Sequence, residues 1–122
     1  MRFLSMIRIN ESGNTRPDER LMQDMGKLID EMLREGTLVR TAGLTPSAEG
    51  KRVRLRKGGS LSVVDGPFTE TKEVVGGYAV LEAKSMDEAV ELTKRFLKVH
   101  GDDWDLECEV RPLASPEFGA GA

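Results

Sequence analysis

The chain holds 122 residues, 39% apolar and 32% charged, which suits one soluble domain with one core. A net charge of −3 and a pI near 5.3 supply no concentrated basic face and argue against nucleic acid as a direct ligand. The single cysteine, Cys108, excludes an intrachain disulfide and a Cys-cluster metal site, no apolar run reaches transmembrane length, and MRFLSMIRIN is too short and too polar in its alternation for a signal peptide, so no membrane partner and a cytoplasmic location are expected.

Arg2 to Ile9 reads as a strand, ending in the loop composition NESGNTRPDE. Pro17 suits a helix start, and Asp18 and Glu19 suit its positive dipole end. Leu21, Met22, Met25, Leu28, Ile29, Met32 and Leu33 then recur on one helical face, and Gly36 is the expected stop. Gly26 lies mid-helix, where close helix–sheet packing is its expected purpose. A short strand, TLVRTAGLTP, breaks at Gly43 and Pro46. KRVRLRKGGSLSVVDG reads as a hairpin with Gly58-Gly59 at its tip. Its basic residues alternate with Val and Leu, so they are expected on a solvated face. VVGGYAVLEA is the next strand, and Ser85 with Glu88 forms a capping box. That box opens a helix with Ala89, Val90, Leu92, Phe96 and Leu97 on its apolar face, ended by Gly101. DLECEVRPL closes the chain as a strand, and residues 114–122 read as a flexible tail.

This order predicts an α+β fold: a ferredoxin-like sandwich over residues 1–113, with an inserted β-hairpin and both helices on one face of an antiparallel sheet. The other sheet face then needs cover, and a second copy can supply it. A homodimer closing a dimeric α+β barrel is the expectation.

Candidate chemistry gathers between Asp65 and Tyr78. Asp65-Gly66-Pro67 is a turn, since Asp can bond its own downstream backbone, Gly relaxes φ and Pro fixes it. In one reading Asp65 caps that turn and Phe68 plugs the core. In the other, Asp65 is partly buried beside Phe68, its pKa rises, and it moves protons near neutral pH. Thr69, Glu70, Thr71, Lys72 and Glu73 surround it with polar groups, and Lys72 is the natural charge partner or anion anchor. Gly76-Gly77 leaves room for a ligand or another backbone, and Tyr78 adds a phenol. Ligand-binding candidates are therefore Gly66, Pro67, Phe68, Glu70, Gly76, Gly77 and Tyr78. His100, the lone histidine, is either a helix C-terminal cap or a proton carrier oriented by Asp102 or Asp103. One imidazole in an acidic loop is a thin basis for a metal, so neither metal nor cofactor is expected. Acidic neighbours Glu107 and Glu109 are expected to raise the Cys108 thiol pKa, against a nucleophile.

The strings VDGPFTETKEVVGGYAVLEAKSMDEAVE, GLTP, MGKLIDEMLREG, EVRPL and VHGDDW together resemble the YCII-related, or DGPF-domain, family over nearly the whole chain. That resemblance implies a ferredoxin-like fold and a dimeric barrel, similar to muconolactone isomerases and small monooxygenases. It also implies a sigma-factor association, since some members are encoded near extracytoplasmic-function sigma factors. A His–Asp pair is proposed as catalytic in shorter members. No histidine lies in the first half of this chain, so only Asp65 can fill such a role. Two functions stay open. One is a small cofactor-free enzyme doing acid/base chemistry on a small organic molecule, with Asp65, Lys72 and His100 as catalytic candidates. The other is a non-catalytic module that binds a small-molecule ligand or a regulatory protein.

Overall fold

The computed structural model describes residues 1–13, 16–69 and 71–114. Helix α1 (Glu19–Glu35) begins where the Asp18 side chain accepts a hydrogen bond from the Leu21 amide at 2.8 Å, satisfying one orphan donor of the first turn. Pro17 thus stands one residue outside the cap. At the far end Gly36 adopts φ 79°, the left-handed stop that glycine takes without a Cβ clash. Leu21, Leu28 and Met32 form the buried stripe, whereas Met22 and Leu33, expected on that face, are exposed. Helix α2 (Met86–Val99) starts at Ser85, whose Oγ accepts from the Glu88 amide at 3.2 Å. Val90 lies at its exposed margin, and Thr93 turns inward in its place. The Thr93 hydroxyl is satisfied there, donating to the Ala89 carbonyl at 2.9 Å and contacting Ser5 Oγ at 3.2 Å.

Strands β1 (Arg2–Ile9), β2 (Leu38–Gly43), β5 (Val74–Glu82) and β6 (Glu107–Pro112) form one antiparallel sheet in the order β2-β5-β1-β6. With two helices between strands this α+β arrangement is compatible with a ferredoxin-like plan. Phe3, Leu38, Ala79, Leu81 and Ala83 meet Leu28, Met32, Ala89 and Leu92 in one core. Strand alternation sends Leu4, Met6, Tyr78 and Val80 to the opposite sheet face, where all four are half-buried. Arg95 ties the helices together, bonding Glu35 through two nitrogens at 2.9 and 3.3 Å and reaching Glu31 at 3.4 Å. Its guanidinium holds the Glu35 carboxyl below the usual value.

The chain leaves β2 through a single 3-10 turn (Ser47–Glu49) into β3 (Lys51–Leu55) and β4 (Leu61–Asp65), a two-stranded sheet of its own. Gly58 and Gly59, with φ of 103° and 97°, make its tip. The hairpin's wet face is the reverse of the expected one. Val53, Leu55, Leu61 and Val63 are 71%, 70%, 71% and 60% exposed, while Arg52 and Arg54 are half-buried. Gly26 also departs from expectation: a Cβ there meets nothing within 4 Å, so no close packing requires it. No helix among the described residues is long and apolar enough to cross a membrane.

Candidate functional site

The Asp65-Gly66-Pro67-Phe68 turn is built against the 3-10 turn. A Cβ on Gly66 would lie 1.8 Å from the Ser47 carbonyl oxygen and 3.1 Å from that of Gly50, so only glycine fits. The Gly66 amide donates to the Gly50 carbonyl at 2.9 Å. The Phe68 amide donates to Ser47 Oγ at 3.2 Å. Ser47, itself buried, passes its own two donors to Glu11: the amide to Oε2 at 2.7 Å and the hydroxyl to Oε1 at 2.5 Å. The hydroxyl bond first, then the amide bond, hold the Glu11 carboxyl below its ordinary value. Arg52 lies over the Phe68 ring, 4.0 Å from guanidinium carbon to centroid, and reaches Thr71 Oγ1 at 3.4 Å. Thr71 closes the turn by donating to the Phe68 carbonyl from both hydroxyl, at 2.8 Å, and amide.

Several expected roles change with this geometry. The Asp65 carboxylate is 75% exposed, so the burial beside Phe68 is absent from the single chain. Its partner is Lys51, at 2.5 Å across the hairpin, rather than Lys72. Phe68 is half-buried under Arg52 and lies outside the core cluster, so it does not plug the core. Gly76 is the extra residue of a β-bulge, where Ile7 and Arg8 face Gly77 and Val75. A Cβ on Gly76 would meet Ile9 Cδ1 at 2.9 Å, and one on Gly77 the Ala42 carbonyl at 3.0 Å. Both glycines admit neighbouring parts of the same chain. Tyr78 sits half-buried on the helix-free sheet face, opposite Met6 and Ala42. His100 Nδ1 lies 2.9 Å from the Phe96 carbonyl, and its ring meets Trp104 edge-on at 5.4 Å between centroids. That is the capping arrangement of the two considered. Burial pushes the Cys108 thiol up, with a hydrogen bond to Ser5 opposing it; the cause is burial rather than acidic neighbours. Glu70 and the tail from 115 to 122 lie outside the described residues.

Lys72 and Glu73 instead share a cleft of about 280 Å³ with Asn10, Gly13, Asp105, Leu106 and Glu107. The end of β1, the approach to β5 and the start of β6 converge there. One lysine and three acidic residues line it, so the lining is acidic overall. A wider depression along α1, lined by Lys27, Glu31, Arg34 and Glu35, holds none of the predicted residues. Among the described residues no group of three His, Cys, Asp or Glu side chains could hold a metal ion. Sequence reasoning gave no role to Glu11, Asn10, Arg52 or Ser47; Asn10 and Glu11 read only as loop, Arg52 only as part of a solvated basic run, and Pro46-Ser47-Ala48-Glu49 was the local signal for Ser47 alone.

A YCII-related domain profile matches residues 1–99, most of the chain and all of the clamp and hairpin. The chain belongs to the YCII-related family. An uncharacterized protein of Rhizobium meliloti (strain 1021) is 33% identical over 97 residues, covering 80% of this chain and 76% of that protein. In this YCII-related chain the Asp-Gly-Pro-Phe string therefore marks a turn clamped on Ser47, and the acidic cleft lies beyond it.

Proposed function

We propose that this YCII-related protein is a homodimeric, cytoplasmic binding module for a small polar ligand that carries an amine. The observation that supports it is the cleft itself: Glu73, Asp105 and Glu107 around Lys72, with the Asn10 amide alongside. An excess of carboxylates attracts an ammonium, and Lys72 can hold a carboxylate or carbonyl on the same molecule. The volume suits a compact metabolite, at the small end of ligand clefts. Two of the three catalytic candidates are otherwise engaged, Asp65 with Lys51 and His100 with Phe96. Both features favour binding over turnover. A metabolite-library thermal-shift screen tests the reading: amines and amino acids should raise the melting temperature of the native chain and not that of Glu73→Gln. Stabilisation only by dianions would contradict it.

The second reading is a cofactor-free acid/base enzyme using Asp65, Lys72 and His100. It is favoured by the position of Asp65 at the foot of the exposed apolar hairpin face, where a covering subunit would shelter it. Loss of turnover in Asp65→Asn at unchanged stability supports that reading over the first. The sigma-factor association belongs with the binding reading, and a pull-down with the chain as bait tests it directly.

A further inference from the structure

We propose that Glu11 and Ser47, which do not line the acidic cleft, are positioning residues that set the spacing of its walls and so its affinity for an amine. This rests on the reading of the cleft as a ligand site. The sheet stops short of that site, its last pairs there being Ile9 with Val74 and Arg8 with Glu107. Asn10 and Glu73 lie one residue beyond the first pair, and Leu106 lies one beyond the second. No ladder pair reaches these lining residues, and a site holds a ligand firmly only when its own supports are fixed. Two tight turns supply the support. In residues 10–13, Asn10 Oδ1 accepts from the Ser12 amide at 3.1 Å and the Ser12 hydroxyl at 2.7 Å. The Gly13 amide donates to the Asn10 carbonyl at 3.1 Å, so Asn10 and Gly13 are joined as a unit with Glu11 between them. Phe68 and Thr71 make the other turn through the two bonds to the Phe68 carbonyl. Lys72 and Glu73 follow it directly.

Both turns are fastened to Ser47. Glu11 takes its amide and its hydroxyl through separate carboxylate oxygens, and the Phe68 amide donates to the same hydroxyl. That hydroxyl has one proton, directed to Glu11, and accepts from Phe68 through a lone pair, so a single group serves both links. The path from wall to wall runs from Asn10 and Glu11 through Ser47 to Phe68, Thr71 and Lys72. A carboxylate suits its place in this path, because it accepts from two donors at once and bonds more strongly than a neutral acceptor. Ser47 itself is buried, which fixes the anchor point. Arg52 braces the second turn from the hairpin side, lying over the Phe68 ring and reaching Thr71 Oγ1. Cutting either link lets one wall shift against the other while every lining side chain is retained.

Calorimetric titration with putrescine, a short aliphatic diamine, tests this on the full native chain, Glu11→Gln, Ser47→Ala and the double variant. Glu11 is exposed and Ser47 loses only a hydroxyl, so all three variants should keep the native circular dichroism spectrum. Each single variant should bind about 10-fold more weakly, the size of effect seen when a group that orients a metal ligand is removed. Both changes cut one relay, so the double variant should also be about 10-fold weaker, rather than the roughly 100-fold of independent losses. Ile29→Val, which loosens the core away from the cleft, should lower the melting temperature and leave the affinity unchanged. Native-like affinity in both single variants, with binding lost in Glu73→Gln, overturns the proposal and keeps the cleft as the site. Affinity that falls equally in Ile29→Val, or a double variant weaker by the full product, overturns the shared relay. A native chain that does not bind putrescine overturns the reading of the cleft and the positioning roles with it.

Discussion

Replacing Gly66 by alanine probes the clamp where it is tightest. The new Cβ would lie 1.8 Å from the Ser47 carbonyl oxygen and 2.7 Å from its carbon, both backbone atoms. The half-buried turn must therefore withdraw by roughly an ångström from the backbone it rests on. That movement breaks the Gly66–Gly50 bond of 2.9 Å and the Phe68–Ser47 bond of 3.2 Å. Each contributes about 1 kcal/mol net, and forced repacking adds about 1–2 kcal/mol. The expected loss is about 3–4 kcal/mol, or ~10–15 °C in melting temperature for a chain of this size. Gly26→Ala is the control, because its Cβ meets nothing within 4 Å. It should gain about 0.5–1 kcal/mol from helix propensity and reduced freedom of the unfolded chain. Thermal and urea unfolding followed by circular dichroism measure both. A Gly66→Ala protein melting within ~2 °C of the native one would refute the clamp.

Other consequences can be checked as readily. Glu11 has a depressed folded pKa, so its contribution to stability is present above the unfolded carboxyl pKa and is lost as pH falls through the folded value; Glu11→Gln should flatten the acid limb of a stability–pH profile and be least different from the native chain at low pH. His100→Ala removes the Phe96 carbonyl contact and the Trp104 edge contact, and a loss of about 1–2 kcal/mol is expected in urea titration. The half-buried Cys108 thiol, its pKa raised by burial, should react more slowly with a disulfide reagent at neutral pH than it does in denaturant.

The fold was legible because apolar runs, helical stripes and caps follow one another along the chain. The largely apolar run Arg2–Ile9 gives way to the stripe of Leu21, Leu28 and Met32, and Asp18, Gly36 and Ser85 carry their capping chemistry locally. The turn was legible but its packing partners were not. Asp-Gly-Pro-Phe announces a turn, yet what it packs on is Ser47, 21 residues from Phe68, and Glu11, a further 36 from Ser47. Contacts at such separations leave no local pattern to read. Alternation in KRVRL separated the hairpin's two faces correctly, but not which one meets water. That depends on Phe68 and Thr71, which draw Arg52 inward. The pairing of Asp65 with Lys51 follows from hairpin register, whereas the expected Lys72 lay nearer in sequence and points to a different cleft.

The most direct measurement is an amide nitrogen–proton correlation spectrum of the labelled chain titrated with a short aliphatic diamine, repeated on Asp65→Asn. Shifts gathered at Asn10, Gly13, Lys72, Glu73 and residues 105–107 in both proteins are the predicted result. Shifts centred on Asp65 and Tyr78 that vanish in Asp65→Asn, or no shifts in either protein, would contradict the assignment of the cleft.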